Sequence, residues 1–272
     1  MSAAKVLASV THAPFFKERD FVLYHSDLFD IVSQLEDNSV DMIFADPPYN
    51  LSNDGFSIQS GKMVSVNKGD WDKSKGFDAD FEFHRAWLEA CRRILKPGGT
   101  LWVSGTYHSI YQCGFAIQSL GYHILNDISW YKPNAAPNLS CRMFTASHET
   151  LLWVRKEKGS KHIFNYDHMR EGEWHGDFMK VPNKQMRSVW AINTPKQWEK
   201  KFGKHPTQKP IELLERIILA STQLDAIVLD PFTGSSTTGL AAVRHGRKFI
   251  GIDKEKNFLE LSQKRYQDLK NV

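Results

Sequence analysis

Two short β-prone runs, Asp20 to His25 (DFVLYH) and Val40 to Ala45 (VDMIFA), flank a segment, Ser26 to Leu35, whose apolar residues recur at helical spacing. The pattern predicts a β-α-β unit. Phe81 to Leu95 carries Phe83, Trp87, Cys91, Ile94 and Leu95 on one helical face and stops at Lys96-Pro97-Gly98-Gly99, directly before a strand at Thr100 to Ser104. A helix is expected from His108 to Leu120, ended by Gly121. Tyr122 to Lys132 and Glu149 to Arg155 then read as two longer strands that could pair as a hairpin across a Pro- and Asn-containing link. After a poorly periodic stretch, order resumes with a helix at Ile211 to Ser221. A strand at Ala226 to Asp230, a helix at Ser235 to His245, a strand at Lys248 to Asp253 and a helix at Phe258 to Leu269 follow. Strands alternating with helices predict an α/β fold with a mostly parallel sheet carrying an antiparallel hairpin at its end.

Two stretches break this rhythm. Residues 50–80 hold four glycines and little periodicity, as a functional loop, lid or DNA-contacting loop would. Residues 156–204 read as an insertion. The expected organisation is a catalytic half at 20–155, an insertion or target-recognition region at 156–204 with DNA contacts beginning near 133, and a cofactor-binding half at 205–272.

Composition adds three constraints. The chain has 272 residues, 12% aromatic and 24% charged, which suits one large globular unit and argues against disorder. Its net charge is only +4, but Tyr131 to His205 holds 14 Lys+Arg against 7 Asp+Glu, interleaved with aromatic rings such as Trp153, Trp174 and Trp190. Cations beside stacking rings suit a nucleic-acid surface, and equally a solvated face over an ordinary core. Cys91, Cys113 and Cys141 are widely spaced and suggest neither disulfides nor a zinc site; no metal is expected. No apolar run is long enough to span a bilayer and the first ten residues lack a long apolar core, so a cytoplasmic protein without membrane association is expected.

Candidate chemistry lies at two strand ends. Asp46-Pro47-Pro48-Tyr49 closes the run VDMIFA, where open α/β sheets bind ligands. The prolines stop the strand, so the Asp46 carboxylate and Pro47 carbonyl can present two acceptors beside the Tyr49 ring. Two acceptors and a flat ring suit the exocyclic amine of a flipped nucleobase; a capped, Pro-rich turn is the alternative. The second site is the strand AIVLD followed by Pro231-Phe232-Thr233-Gly234-Ser235-Ser236-Thr237-Thr238-Gly239, with Asp253 19 residues after Gly234 to meet ribose hydroxyls. Neither a dinucleotide glycine pattern nor a phosphate loop is present. S-adenosylmethionine, with a ribose diol and an amino-acid tail but no pyrophosphate, fits better.

With both motifs and the elements His205-Pro206-Thr207-Gln208-Lys209-Pro210 and Phe249-Ile250-Gly251-Ile252-Asp253, the chain resembles the amino-group DNA methyltransferases of the β arrangement from about Phe21 to Leu269. In these the catalytic motif precedes the cofactor motif, a circularly permuted order on a Rossmann-like S-adenosylmethionine-dependent fold. The resemblance implies adenine N6 as the target of Asp-Pro-Pro-Tyr. It implies that Asp27 and Leu28 meet the cofactor's adenine, and that His205, Thr207 and Lys209 approach its methionine part. Asp46, Asp230, Pro231, Phe232, Gly234, Ser235, Ser236, Thr237, Thr238 and Asp253 complete the cofactor set. Ser236 stands where the family's Phe-x-Gly-x-Gly turn has its last glycine, and a serine there calls for a φ compatible with a Cβ.

The segments at 64–71 and 136–142 look most like the second adenine methylase of GATC-recognising restriction systems, which implies Lys68, Asn138, Ser140 and Arg142 as DNA contacts. It also implies a cognate restriction endonuclease as functional partner and a homodimer. Cytosine-N4 or RNA adenine methylation, a silent DNA-binding module and a nicotinamide oxidoreductase remain as rivals, the last disfavoured by the missing glycine pattern.

Overall fold

A computed structural model describes residues 6, 8–49, 56–59, 62–65, 73–174 and 176–270, the two short segments 56–59 and 62–65 by their backbone only. In chain order, β1 (Phe16–Lys17), β2 (Phe21–His25), α1 (Leu28–Val32) and β3 (Val40–Ala45) come first. A short hairpin of β4 (Phe56–Gln59) and β5 (Lys62–Ser65) lies within the stretch read as a loop. Then follow α2 (Phe77–Ile94), β6 (Leu95–Gly105), α3 (Ile110–Ser119), β7 (His123–Tyr131) and β8 (His148–Arg155). The last third supplies α4 (Tyr166–Glu171), β9 (Val189–Ala191), α5 (Ile211–Ser221), β10 (Ile227–Asp230), α6 (Thr237–Arg244), β11 (Lys248–Asp253) and α7 (Lys256–Lys270).

The main sheet has the order β1-β2-β11-β10-β3-β6-β8-β7-β9. Its centre, β2 to β6, is parallel, and its strands are near-continuous apolar runs because helices cover both faces. Side chains alternate between these faces. Leu101 and Val103 of β6 face one core cluster with Trp87, Leu88, Cys91 and Ile94 of α2 and Cys113 and Ile117 of α3. Trp102 faces the other, with Leu213, Leu214, Ile217 and Ile218 of α5, Ala241 of α6 and Leu259 of α7. There it stacks on Trp153 with ring centroids 5.0 Å apart.

The hairpin stands where expected, β7 pairing antiparallel with β8, and β9 adds a further parallel strand outside it. The 156–204 segment thus joins the same sheet. It is also pinned to α5: buried Arg216 donates to Asp177 at 2.5 Å and lies between the Trp174 and Trp190 rings, 4.8 and 5.1 Å from their centroids. Asp177 in turn accepts the backbone N–H groups of Met179 and Ala191, so the buried carboxylate is well partnered. Among the described residues no helix is long and apolar enough to cross a membrane.

Candidate active site

β10 and β3 are parallel neighbours whose connections leave in opposite directions, β10 through α6 to β11 and β3 through α2 to β6. Ligands bind in the crevice that such a reversal opens at the strands' carboxyl ends. Asp230 ends β10, Asp46 follows β3 and Asp253 ends β11, so three carboxylates converge there.

A cavity of about 370 Å³ fills the crevice and is lined by Asp27, Leu28, Asp46, Pro48, His205, Thr207, Lys209, Asp230, Pro231, Phe232, Gly234, Ser235, Thr237, Thr238 and Asp253. Of the residues assigned to the cofactor, Ser236 alone does not border it. It lies fully buried beneath the turn, its hydroxyl 2.9 Å from that of Thr233. Its φ is +53°, the left-handed conformation that a glycine would adopt, so the expectation of a backbone suited to a Cβ is overturned: the serine takes the glycine geometry and bears its strain.

The turn is held by the carboxylates around it. Asp253 accepts the Gly234 N–H at 2.7 Å and the Glu255 N–H at 2.8 Å. Asp230 accepts the Phe232 N–H at 3.0 Å and the Thr238 hydroxyl at 2.7 Å. Burial nevertheless pushes Asp230 up to about 7 and Asp253 up to about 6. Asp27 caps α1 through the Phe29 N–H at 2.8 Å and pairs with Lys254. A Cβ on Gly234 would stand 2.9 Å from the His205 ring, so this glycine is what lets the 205–209 element close over the turn. Buried Glu199 fixes the same element, accepting the Ile211 N–H at the start of α5 while its backbone carbonyl accepts from Gln208.

These residues fit S-adenosylmethionine. The ligand carries a sulfonium and an ammonium, and Asp27, Asp46, Asp80, Asp230, Asp253 and Glu255 surround the cavity with acids. Its cations would draw the raised carboxyls of Asp230 and Asp253 back to the ionised form.

The Asp46 side of the cavity is a buried charge cluster. Tyr49 donates to Asp46 Oδ1 at 2.5 Å, and Lys209 donates to Asp46 Oδ2. Lys209 lies 3.0 Å from the Tyr49 hydroxyl, and Tyr49 also reaches Glu149 at 3.0 Å. Lys132 closes the cluster, donating to Glu149 at 3.1 Å. Burial raises Asp46 despite Lys209 beside it. Burial would raise Glu149 too, but Lys209 and Lys132 outweigh it and hold that carboxyl at about 2.

Tyr49, Trp130, Lys132 and Glu149 border a second cavity of about 340 Å³, which shares His205, Thr207, Gln208 and Lys209 with the first. Pro47, which follows Asp46 in the chain, is buried. Glu149 and Lys132 were not singled out from sequence. The available signal was Glu149 itself, the only acid in the run HETLLWVR.

Asn138, Ser140 and Arg142 come together in the exposed connection between β7 and β8. Asn138 accepts the Ser140 N–H at 2.9 Å, and the Arg142 N–H lies 3.4 Å from the Ser140 hydroxyl. Lys68 lies outside the described residues.

A parallel sheet with a ligand crevice at its switch point and an acid-rich cavity beside an Asp-Pro-Pro-Tyr strand end defines a methyltransferase of the S-adenosylmethionine-dependent class. The family model described as DNA methylase, for N6 and N4 amino methyltransferases, matches residues 40–264, and the chain belongs to that family. It is 51% identical over 255 residues to the type II methyltransferase M2.DpnII of Streptococcus pneumoniae, covering 93% of this chain and 92% of that protein. It is 46% identical to M2.MboI of Moraxella bovis, covering 95% and 93%. The crystal structure of the M1.HpyAVI–SAM complex superposes with a TM-score of 0.66 at 28% identity, over 90% of this chain and 98% of that one. The PvuII cytosine-N4-specific methyltransferase shares the fold, with a TM-score of 0.71 at 18% identity over 96% and 94%. The chain is an S-adenosylmethionine-dependent DNA methyltransferase of the amino-group type.

Proposed function

We propose that Asp46 and the Pro47 carbonyl accept the two N6 hydrogens of a flipped adenine, and that the target lies within GATC. One observation carries the reading: Asp46 borders the cofactor cavity, while its partners Tyr49 and Lys209 border the second cavity, so one carboxylate stands between two ligand spaces. The cofactor cavity supplies an electrophilic methyl group when S-adenosylmethionine is bound. Adenine N6 is a poor nucleophile because its lone pair is delocalised into the ring. Two fixed acceptors favour a pyramidal nitrogen, orient the lone pair and stabilise the positive charge that develops on it. The N6 proton becomes acidic only after alkylation, and Asp46 or water then takes it. Tyr49 offers the ring face against which the base stacks.

Asp27 and Leu28 serve the cofactor's adenine, Asp253 its ribose diol, and His205, Thr207 and Lys209 its methionine part. The 133–147 connection supplies DNA contacts through Asn138, Ser140 and Arg142, the last suited to a guanine edge. Lys68 serves the same role. Its similarity to type II methyltransferases supports functional pairing with a restriction endonuclease. Exposed Phe77, Tyr111 and Phe115 offer apolar area for a homodimer.

The test is to incubate the protein with S-adenosylmethionine and unmethylated DNA, identify the modified nucleoside by mass spectrometry and map its sites. N6-methyladenine confined to GATC is expected; methylation spread over other sequences overturns the site assignment. Asp46→Ala should lose at least about a thousandfold in transfer rate while still binding cofactor, and full activity in that variant overturns the role of Asp46.

A further inference from the structure

Glu149 has no part in the reading above, yet it touches nearly every group that Asp46 touches. It is the second residue of β8, its side chain 12% exposed, with Oε2 3.0 Å from the Tyr49 hydroxyl, 3.4 Å from Ser104 Oγ and 3.6 Å from Lys209 Nζ. Its other oxygen is anchored by Lys132 at 3.1 Å. Tyr49 and Lys209 are therefore shared between two carboxylates. A phenol has one proton, so at any moment Tyr49 donates either to Asp46 or to Glu149.

Both Asp46 oxygens are engaged in this state, Oδ1 by Tyr49 and Oδ2 by Lys209. Each oxygen keeps a second lone pair, but an arriving amine must compete with these two donors for the carboxylate. A cation held on Asp46 would also oppose the charge that develops on N6 during transfer. Releasing a buried ammonium without a second counter-charge would be costly, because desolvated charges need partners.

We propose that Glu149 is a positioning residue, taking the Tyr49 hydroxyl and the Lys209 ammonium over from Asp46 when the target base enters, so that Asp46 can accept the N6 hydrogens. The exchange moves hydrogen bonds only: both acids stay carboxylates and Lys209 stays an ammonium. Glu149 is suited to this because its two lysines keep it ionised and Lys132 keeps it in place. The proposal rests on Asp46 being the amine acceptor.

Glu149→Gln tests it, since the volume is kept and the charge is lost. Single-turnover methyl transfer should slow by about tenfold or more while the Kd for S-adenosylmethionine stays within about twofold. Glu149→Asp should recover part of the rate. In a Tyr49→Phe background there is no hydroxyl to hand over, so the Glu149→Gln penalty should shrink and the double variant should lose less than the product of the single losses. An unchanged rate in Glu149→Gln, or multiplicative losses in the double variant, overturns the proposal. If Glu149→Gln does not fold, Lys132→Gln, which loosens only the anchor, should slow transfer with unchanged cofactor affinity, and a wild-type rate there overturns it. Failure of the underlying reading shows separately, as full activity of Asp46→Asn.

Discussion

The Asp253 carboxylate accepts the backbone N–H of Gly234 at 2.7 Å, tying the end of β11 to the turn that leaves β10. Two adjacent strands thereby present one acidic rim to the cofactor. Because burial holds this carboxyl at about 6, its acceptor strength is lost as pH falls through that value. Affinity for S-adenosylmethionine, measured by calorimetry between pH 5 and 8, should weaken below about 6. Binding near pH 6 should release protons, seen as a dependence on buffer ionisation enthalpy, because the cationic ligand favours the ionised carboxylates. Asp253→Ala should weaken binding at least about tenfold at pH 8 and flatten the profile.

Asp230 is kept in the crevice at the expense of stability. Its folded value of about 7 lies above the ordinary 3.8, so between those values the folded chain holds a proton that the unfolded chain has released. Stability therefore falls as pH rises through that window and levels off above it. Asp230→Asn removes the titration, so its stability relative to the wild-type chain should rise from pH 4 to 7 and level off by pH 8. Thermal unfolding at pH 5 and pH 8 measures this; equal Tm differences at both would show that the carboxyl is not raised.

At Ser236 the strain can be isolated from the hydroxyl. Ser236→Gly and Ser236→Ala both lose the bond to Thr233, but only alanine keeps a Cβ at φ +53°. The glycine variant should be more stable than the alanine variant by about 1 kcal/mol in denaturant titrations.

The pair Arg216–Asp177 gives the 156–204 segment its attachment. Arg216→Met should cost about 3 kcal/mol or more, since it leaves Asp177 buried without its counter-charge. In urea unfolding, Arg216→Met combined with Asp177→Asn should fall short of the sum of the single losses.

Much of the fold was legible because the strands of a doubly covered sheet are short apolar runs, and VDMIFA and AIVLD announce themselves. The helices around Trp87 and Ile217 are amphipathic, so their period was plain too. The edges were less legible. β9 has three residues, too few for any period, and joins the sheet through backbone pairing with β7. Leu95 was read as the end of a helix and residues 96–99 as its stop, yet β6 already begins at Leu95, which pairs with Val40 across an irregular register. At the site, Asp46 and Asp253 were visible because each ends an apolar run. Glu149 begins one instead, and Lys132 is one lysine in a basic segment; only the pairing of β7 with β8 brings the two together.

The strand order also bears on how the protein is made. β2 and β3 leave the ribosome early, but the two strands that fill the space between them, β10 and β11, are synthesised last. Until then the nascent chain holds two apolar strands with open edges facing each other across a missing centre, the arrangement most exposed to pairing with another chain. Closing it requires contacts between the two ends of the polypeptide, which are slow to form. Lys270 reaches Glu18 at 3.2 Å in the finished fold, so the end of α7 lies beside the segment after β1, and a chain re-cut to begin near residue 205 would complete β10 and β11 first.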